Sequence, residues 1–161
     1  METTTKTSKV DELGSDETRA ISPEEYRRVL SGLKLAGLSL THCEAQADRL
    51  AAEQAFAQPN SVPVHITGEV SFETTEKAVI VNQTYKITGK QGRRRVFALS
   101  ATYAVAFQST EPFTEQFFKV FKDRTLPTFT WPYLRELVSS MTSRMGLPEL
   151  VLSIWFRPTA D

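Results

Sequence analysis

The chain has 161 residues, nineteen Lys and Arg against nineteen Asp and Glu, 40% hydrophobic residues and a single cysteine. That length suits one domain with a core of its own, and the charge balance argues against a dedicated nucleic-acid binder. Cys43 alone cannot close an intrachain disulfide, and a lone thiol suits a reducing compartment.

Residues 1–20 are rich in Thr, Ser, Lys, Asp and Glu. They hold too little apolar surface to offset the entropy of ordering, which predicts a flexible tail ahead of a domain spanning 21–161. The tail lacks the apolar stretch of a signal peptide. No apolar run approaches the roughly 18 residues that span a bilayer, so neither membrane insertion nor secretion is expected and the cytoplasm is the predicted location.

Ser22-Pro23-Glu24-Glu25 reads as a helix start, with Ser22 as cap, Pro23 in the first turn and Glu25 completing a capping box. Tyr26, Val29, Leu30 and Leu33 follow at helical spacing. Gly32 and Gly37 bracket the change to an extended run over 35–41. Residues 44–60 fit either an Ala-rich helix or a long crossover loop, with Phe56 a lone aromatic before the Pro59-Asn60 turn.

Three strands with period-two alternation come next. Val62, Val64, Ile66, Gly68, Val70 and Phe72 share a face of the first. Val79, Val81, Tyr85 and Ile87 share one in the second, and Phe97 to Phe107, taken at every other residue, one in the third. Gly89-Lys90-Gln91-Gly92 connects the last two as a hairpin. The period then changes: Phe113, Phe117, Val120 and Phe121 predict one helix. Leu134, Leu137, Val138, Met141 and Met145 predict a second over 132–145, with Pro132 near its first turn and Gly146 as its stop. Residues 150–156 read as a last short strand. Strands followed by helices predict an α+β fold with helices gathered on one side of an antiparallel sheet.

From the start of that second helix to just beyond it, Trp131-Pro132-Tyr133-Leu134-Arg135-Glu136, then Ser139-Ser140-Met141, Ser143-Arg144 and Pro148-Glu149-Leu150-Val151-Leu152 resemble the protein-export chaperone family SecB without a gap. The resemblance implies a four-stranded antiparallel sheet and a homotetramer built as a dimer of dimers, whose long helices pack between the sheets. By that analogy Tyr133, Leu134, Leu137, Val138, Met141 and Met145 form the oligomer interface helix. It also implies apolar grooves that hold unfolded client polypeptides, placed by fold position at Phe56, Val64 and Ile66. The grooves of the family lie between the crossover, the second strand and the helical layer. The competing reading of Val64 and Ile66 is plain sheet core. SecB proteins are strongly acidic and carry a C-terminal helix and tail that contact the translocation motor SecA. This neutral chain, with little after Phe156, is closer to divergent SecB-like chaperones, some of which protect the antitoxin of a toxin–antitoxin operon.

Nothing in the sequence makes a catalytic or metal site, and no cofactor is expected. His42 and Cys43 are adjacent on an extended run, so they point to opposite faces and cannot share a metal. A Cys43 nucleophile with His65 as base has no supporting motif. Gly89 to Gly92 lacks the Lys-Ser/Thr of a phosphate loop. Arg93-Arg94-Arg95 reads as a solvated hairpin tip or as a contact for an acidic partner segment. Three functions stay open: a general holding chaperone for export or folding, a dedicated antitoxin chaperone, and a small-ligand-binding α+β protein.

Overall fold

The computed structural model of the chain describes residues 20–57, 62–76 and 78–154. The element order is α1 (Pro23–Ser31), β1 (Leu33–Ala47), α2 (Arg49–Phe56), β2 (Val64–Thr74), β3 (Ala78–Gln91), β4 (Arg94–Ser109), α3 (Glu115–Arg124) and α4 (Leu126–Arg144). The strands form one antiparallel sheet in the order β1-β4-β3-β2. Two hairpins place β2, β3 and β4 side by side. β1 then pairs with β4, so the chain crosses the whole sheet between β1 and β2 by way of α2. The predicted N-terminal tail lies outside the described residues except for Ala20, as do Pro59 and Asn60.

The ambiguous stretch 44–60 divides at Asp48. β1 continues to Ala47. Asp48 then caps α2, its side chain accepting the Ala51 N–H at 2.9 Å. β1 also breaks step twice, between Leu35 and Gly37 and between Leu40 and His42. Each slip inserts one residue and restores the next apolar side chain to the helix-covered side. Leu35, Leu38, Leu40, Cys43 and Ala45 thereby pair with Phe107, Val105, Tyr103, Ala101 and Leu99.

In β3 and β4 the odd-numbered residues from Val79 to Ile87 and from Phe97 to Phe107 are buried on the helix side, as the alternation predicts. Two apolar clusters lie along that one face. Tyr85, Ile87, Leu99 and Tyr103 pack with α2 and α4, whereas Val79, Val81, Val105 and Phe107 pack with α1 and α3. A polar seam separates them: Tyr85 hydrogen-bonds Thr130 at 2.7 Å, and the Gln83 amide donates to the Thr84 carbonyl at 3.2 Å. At the hairpin end the Phe97 ring sits against Gly89, where a Cβ would come within 2.2 Å of it.

Two helical boundaries differ from the sequence reading. Phe113 precedes α3, whose cap is Thr114. It still packs against Phe117 and Phe118 as a hydrophobic staple. α4 begins at Leu126, with Pro127 in its first turn, and runs through Pro132. Proline removes one helical donor. The carbonyl that loses it belongs to Thr128, which is exposed and open to water.

Candidate functional site

After α4 the chain reverses. Gly146, at φ +72°, lets it turn back, and residues 147–153 run along the flank of the helix. This segment is a strap and not the strand expected over 150–156, of which 155 and 156 lie outside the described residues. Side chains of α4 take up its backbone groups where a neighbouring strand would have done so. The Leu150 N–H donates to Thr142 Oγ1 at 3.0 Å, Arg135 Nε donates to the Leu152 carbonyl at 3.0 Å and the Trp131 indole donates to the Ser153 carbonyl at 2.8 Å. Ser139 Oγ hydrogen-bonds the Glu149 carboxylate. Leu147 and Leu152 complete the cluster beneath. Trp131, Arg135, Ser139 and Glu149 of the Trp131–Leu152 motif, together with Thr142, therefore serve one purpose, which is to lash the strap to the helix.

The six residues assigned to an interface helix separate into two groups. Leu134 and Val138 are fully buried in the chain's own core. Leu137, Met141 and Met145 are half-buried at its margin, and Tyr133 is 56% exposed. Beyond that margin β1 is an edge strand, with Leu35 and Leu40 at 50% and 43% exposure on its helix side. Sequence reading missed these two leucines as surface. Their alternation was visible, but the two slips in step and the edge position were not.

Phe56 ends α2 and is 37% exposed. It lines an open groove of about 150 Å³ with Ala47, Ala52, Met145 and Leu147. Val64 and Ile66 do not line that groove. They lie half-buried on the helix side of β2, at the sheet edge opposite β1, and pack against the cluster under α4. The three residues grouped at the sequence level thus occupy two places.

His42 pairs with Thr102 and Cys43 with Ala101, so the two point to opposite faces, and His65 lies on β2 opposite Thr88. Among the described residues no group of three His, Cys, Asp or Glu could hold a metal ion. Among the described residues no helix is long and apolar enough to cross a membrane. The shifted titrations belong to the scaffold. Burial raises the phenol pKa values of Tyr85 and Tyr103, and the Ala51 N–H and Arg94 lower that of the Asp48 carboxyl.

The SecB family profile, described as preprotein translocase subunit SecB, matches residues 41–156, from within β1 through the strap. The chain belongs to the SecB family. Among solved structures it is similar to the Rv1957 SecB-like chaperone of Mycobacterium tuberculosis, determined in complex with a ChAD peptide from the Rv1956 HigA1 antitoxin. The TM-score is 0.67 at 20% identity, over 81% of this chain and 95% of that one. A protein of unknown function from Streptococcus agalactiae matches with a TM-score of 0.39 at 14% identity, over 76% and 97%. No curated protein matches the sequence. The SecB-like neighbour shares the α+β fold of a four-stranded antiparallel sheet with its helices on one side.

Proposed function

We propose that this SecB-family chain is a holding chaperone that binds apolar stretches of non-native polypeptide and performs no chemistry. The observation that carries the reading is the groove, open among the described residues, where the apolar side chains of Phe56, Ala52, Met145 and Leu147 meet beside Arg49 and Glu53, between α2 and the end of α4. Unfolded clients offer apolar side chains, each worth about 1.5–3 kcal/mol when fully buried, and the cost of ordering the client offsets much of that. A single groove is therefore weak. Val64 and Ile66 on β2 extend the client contact at a second place, and several protomers add avidity. Tyr133, Leu137 and Met141, with Leu35 and Leu40 of β1, form the surface for a homotetramer acting in the cytoplasm, which leaves Met145 to the groove.

The test follows aggregation of a chemically unfolded protein during refolding, with wild type and with Phe56→Asp. Wild type suppresses aggregation and ignores the native form, and the variant loses most of that effect while its melting temperature holds. Equal suppression by both would remove the groove from the mechanism.

The second reading narrows the client to the antitoxin of a toxin–antitoxin pair. It is favoured by the fold shared with the mycobacterial chaperone, which was solved with an antitoxin peptide. Antitoxin lifetime in cells with and without this protein separates the two: a shortened lifetime on deletion supports the dedicated role, and an unchanged one leaves a general client range, with hand-over to SecA as its export form.

A further inference from the structure

We propose that the Phe56 groove selects client segments that carry carboxylates beside their apolar residues, and that Arg93 and Arg95 supply this selectivity; the proposal rests on the holding reading above. The groove continues at Ala47 into a second open cavity of about 470 Å³ at the β3–β4 hairpin, lined by Asp48, Arg93, Arg94, Arg95 and Phe97. The residues lining the two cavities include four cations, Arg49, Arg93, Arg94 and Arg95, and two anions, Asp48 and Glu53.

Pairing within the chain cancels part of this. Arg94 Nη2 reaches both Asp48 oxygens, at 3.0 and 3.3 Å, and Arg94 Nη1 donates to Gln54 Oε1 at 3.1 Å. Asp48 also accepts the Ala51 N–H at Oδ1, so its charge is engaged within the chain. Arg49, Arg93 and Arg95 are exposed, and none has an ion pair or side-chain hydrogen bond among the described residues. Among the described residues, three guanidinium groups without an ion pair, and Lys86 beyond them, stand against Glu53 and Glu44, the latter sharing a cavity with Arg95, so this end is cationic in a chain whose formal net charge is zero.

An apolar groove that opens directly onto unpaired guanidinium groups fits a ligand with both chemistries in sequence. An unfolded polypeptide supplies them: apolar side chains for Phe56, Met145 and Leu147, then Asp or Glu for the arginines, which carboxylates meet in bidentate geometry. A nucleic acid would satisfy the arginines and leave the apolar groove empty. Because the arginines are exposed, each pair is weak and screened by salt. The effect is a bias among clients and not the source of affinity.

The experiment uses the full chain and three labelled unfolded peptides with one Leu/Phe core, flanked by three Glu, three Ser or three Lys. Affinities are read by fluorescence anisotropy at about 0.01 M and about 0.15 M salt, where the screening lengths are about 30 and 8 Å. The Glu-flanked peptide binds about three- to tenfold more tightly than the Lys-flanked one at low salt, and the ratio shrinks at the higher salt. In the Arg93→Glu/Arg95→Glu variant the order flattens or reverses, while the Ser-flanked peptide and the melting temperature are unchanged. Equal binding of all three peptides by wild type, or a preference that survives the charge reversal, overturns the selectivity and leaves the holding reading intact. So does tight binding of oligothymidylate or of a Glu peptide without apolar residues, since the site would then read charge alone. Binding of none of the three peptides overturns the holding reading and this proposal together.

Discussion

The indole N–H of Trp131 donates to the carbonyl of Ser153 at 2.8 Å, joining the second helical turn of α4 to the far end of the strap that returns along it. Arg135 and Thr142 repeat the arrangement with Leu152 and Leu150. An extended segment without a strand partner must place its backbone groups somewhere, and here α4 provides the partners.

Thr142 tests that lashing. It is buried, accepts the Leu150 N–H and donates to the Val138 carbonyl at 2.9 Å. Thr142→Val keeps the shape and removes the acceptor, so it should cost about 1–3 kcal/mol in urea unfolding and expose the strap to proteolysis. Thr142→Ser keeps the hydroxyl and should recover resistance to cleavage. Equal cleavage of the Val and Ser variants would show that the hydroxyl does not hold the strap.

Leu134 and Tyr133 are neighbours in sequence with opposite surroundings. Leu134→Ala should lower stability by about 2–5 kcal/mol at every protein concentration, because it opens a cavity in the chain's own core. Tyr133→Ala should act only where an oligomer is populated, through mass action. Unfolding at two concentrations beside light-scattering mass checks both. A concentration-independent loss in Tyr133→Ala would remove it from the interface.

Gly89 has no room for a methyl group under the Phe97 ring. Gly89→Ala should destabilise by about 1–3 kcal/mol as the ring is displaced. In the Gly89→Ala/Phe97→Leu double variant the two losses should sum to less than their separate values. Strict additivity in a double-mutant cycle would mean that the ring and the glycine do not meet.

Tyr85 and Tyr103 should set the alkaline limit of stability. Burial lifts both phenols above their ordinary 10.0; the Thr130 hydroxyl partly opposes this at Tyr85, and Cys43 and Glu136 add to it at Tyr103. A raised folded pKa means that the unfolded chain loses these protons first. The stability they contribute is complete below about pH 10 and is lost as pH rises from there through the folded values. The urea midpoint should fall above that pH in wild type, and less steeply in Tyr85→Phe/Tyr103→Phe. Parallel falls would assign the loss to other groups.

Local chemistry made much of the fold legible. Alternation from Val79 to Ile87 and from Phe97 to Phe107 gave the central strands and their buried face, because a strand beside a core must keep period two. Ser22 marked its helix start as a cap, and the Trp131–Leu152 spacing pointed to the family that residues 41–156 match. The start of α4 was misplaced, because Pro132 reads as a first-turn residue until Pro127 is seen to hold that place.

The sequence by itself determined the three strands β2 to β4, the helices that follow them, the buried face of each central strand and the family; the segment after α4 and the stretch 44–60 it did not settle. What it determined depends on neighbours two to four residues apart, whose contacts local backbone geometry dictates. Tertiary structure alone decided that β1 pairs with β4, so that the crossover spans the sheet and sets Phe56 apart from Val64 and Ile66. It also decided that Leu134 and Val138 face inward while Leu35 and Leu40 stay on the surface. An apolar side chain has the same chemistry in a core and in a groove. What separates the two is whether another element of the chain arrives to cover it, and residues far away in sequence settle that.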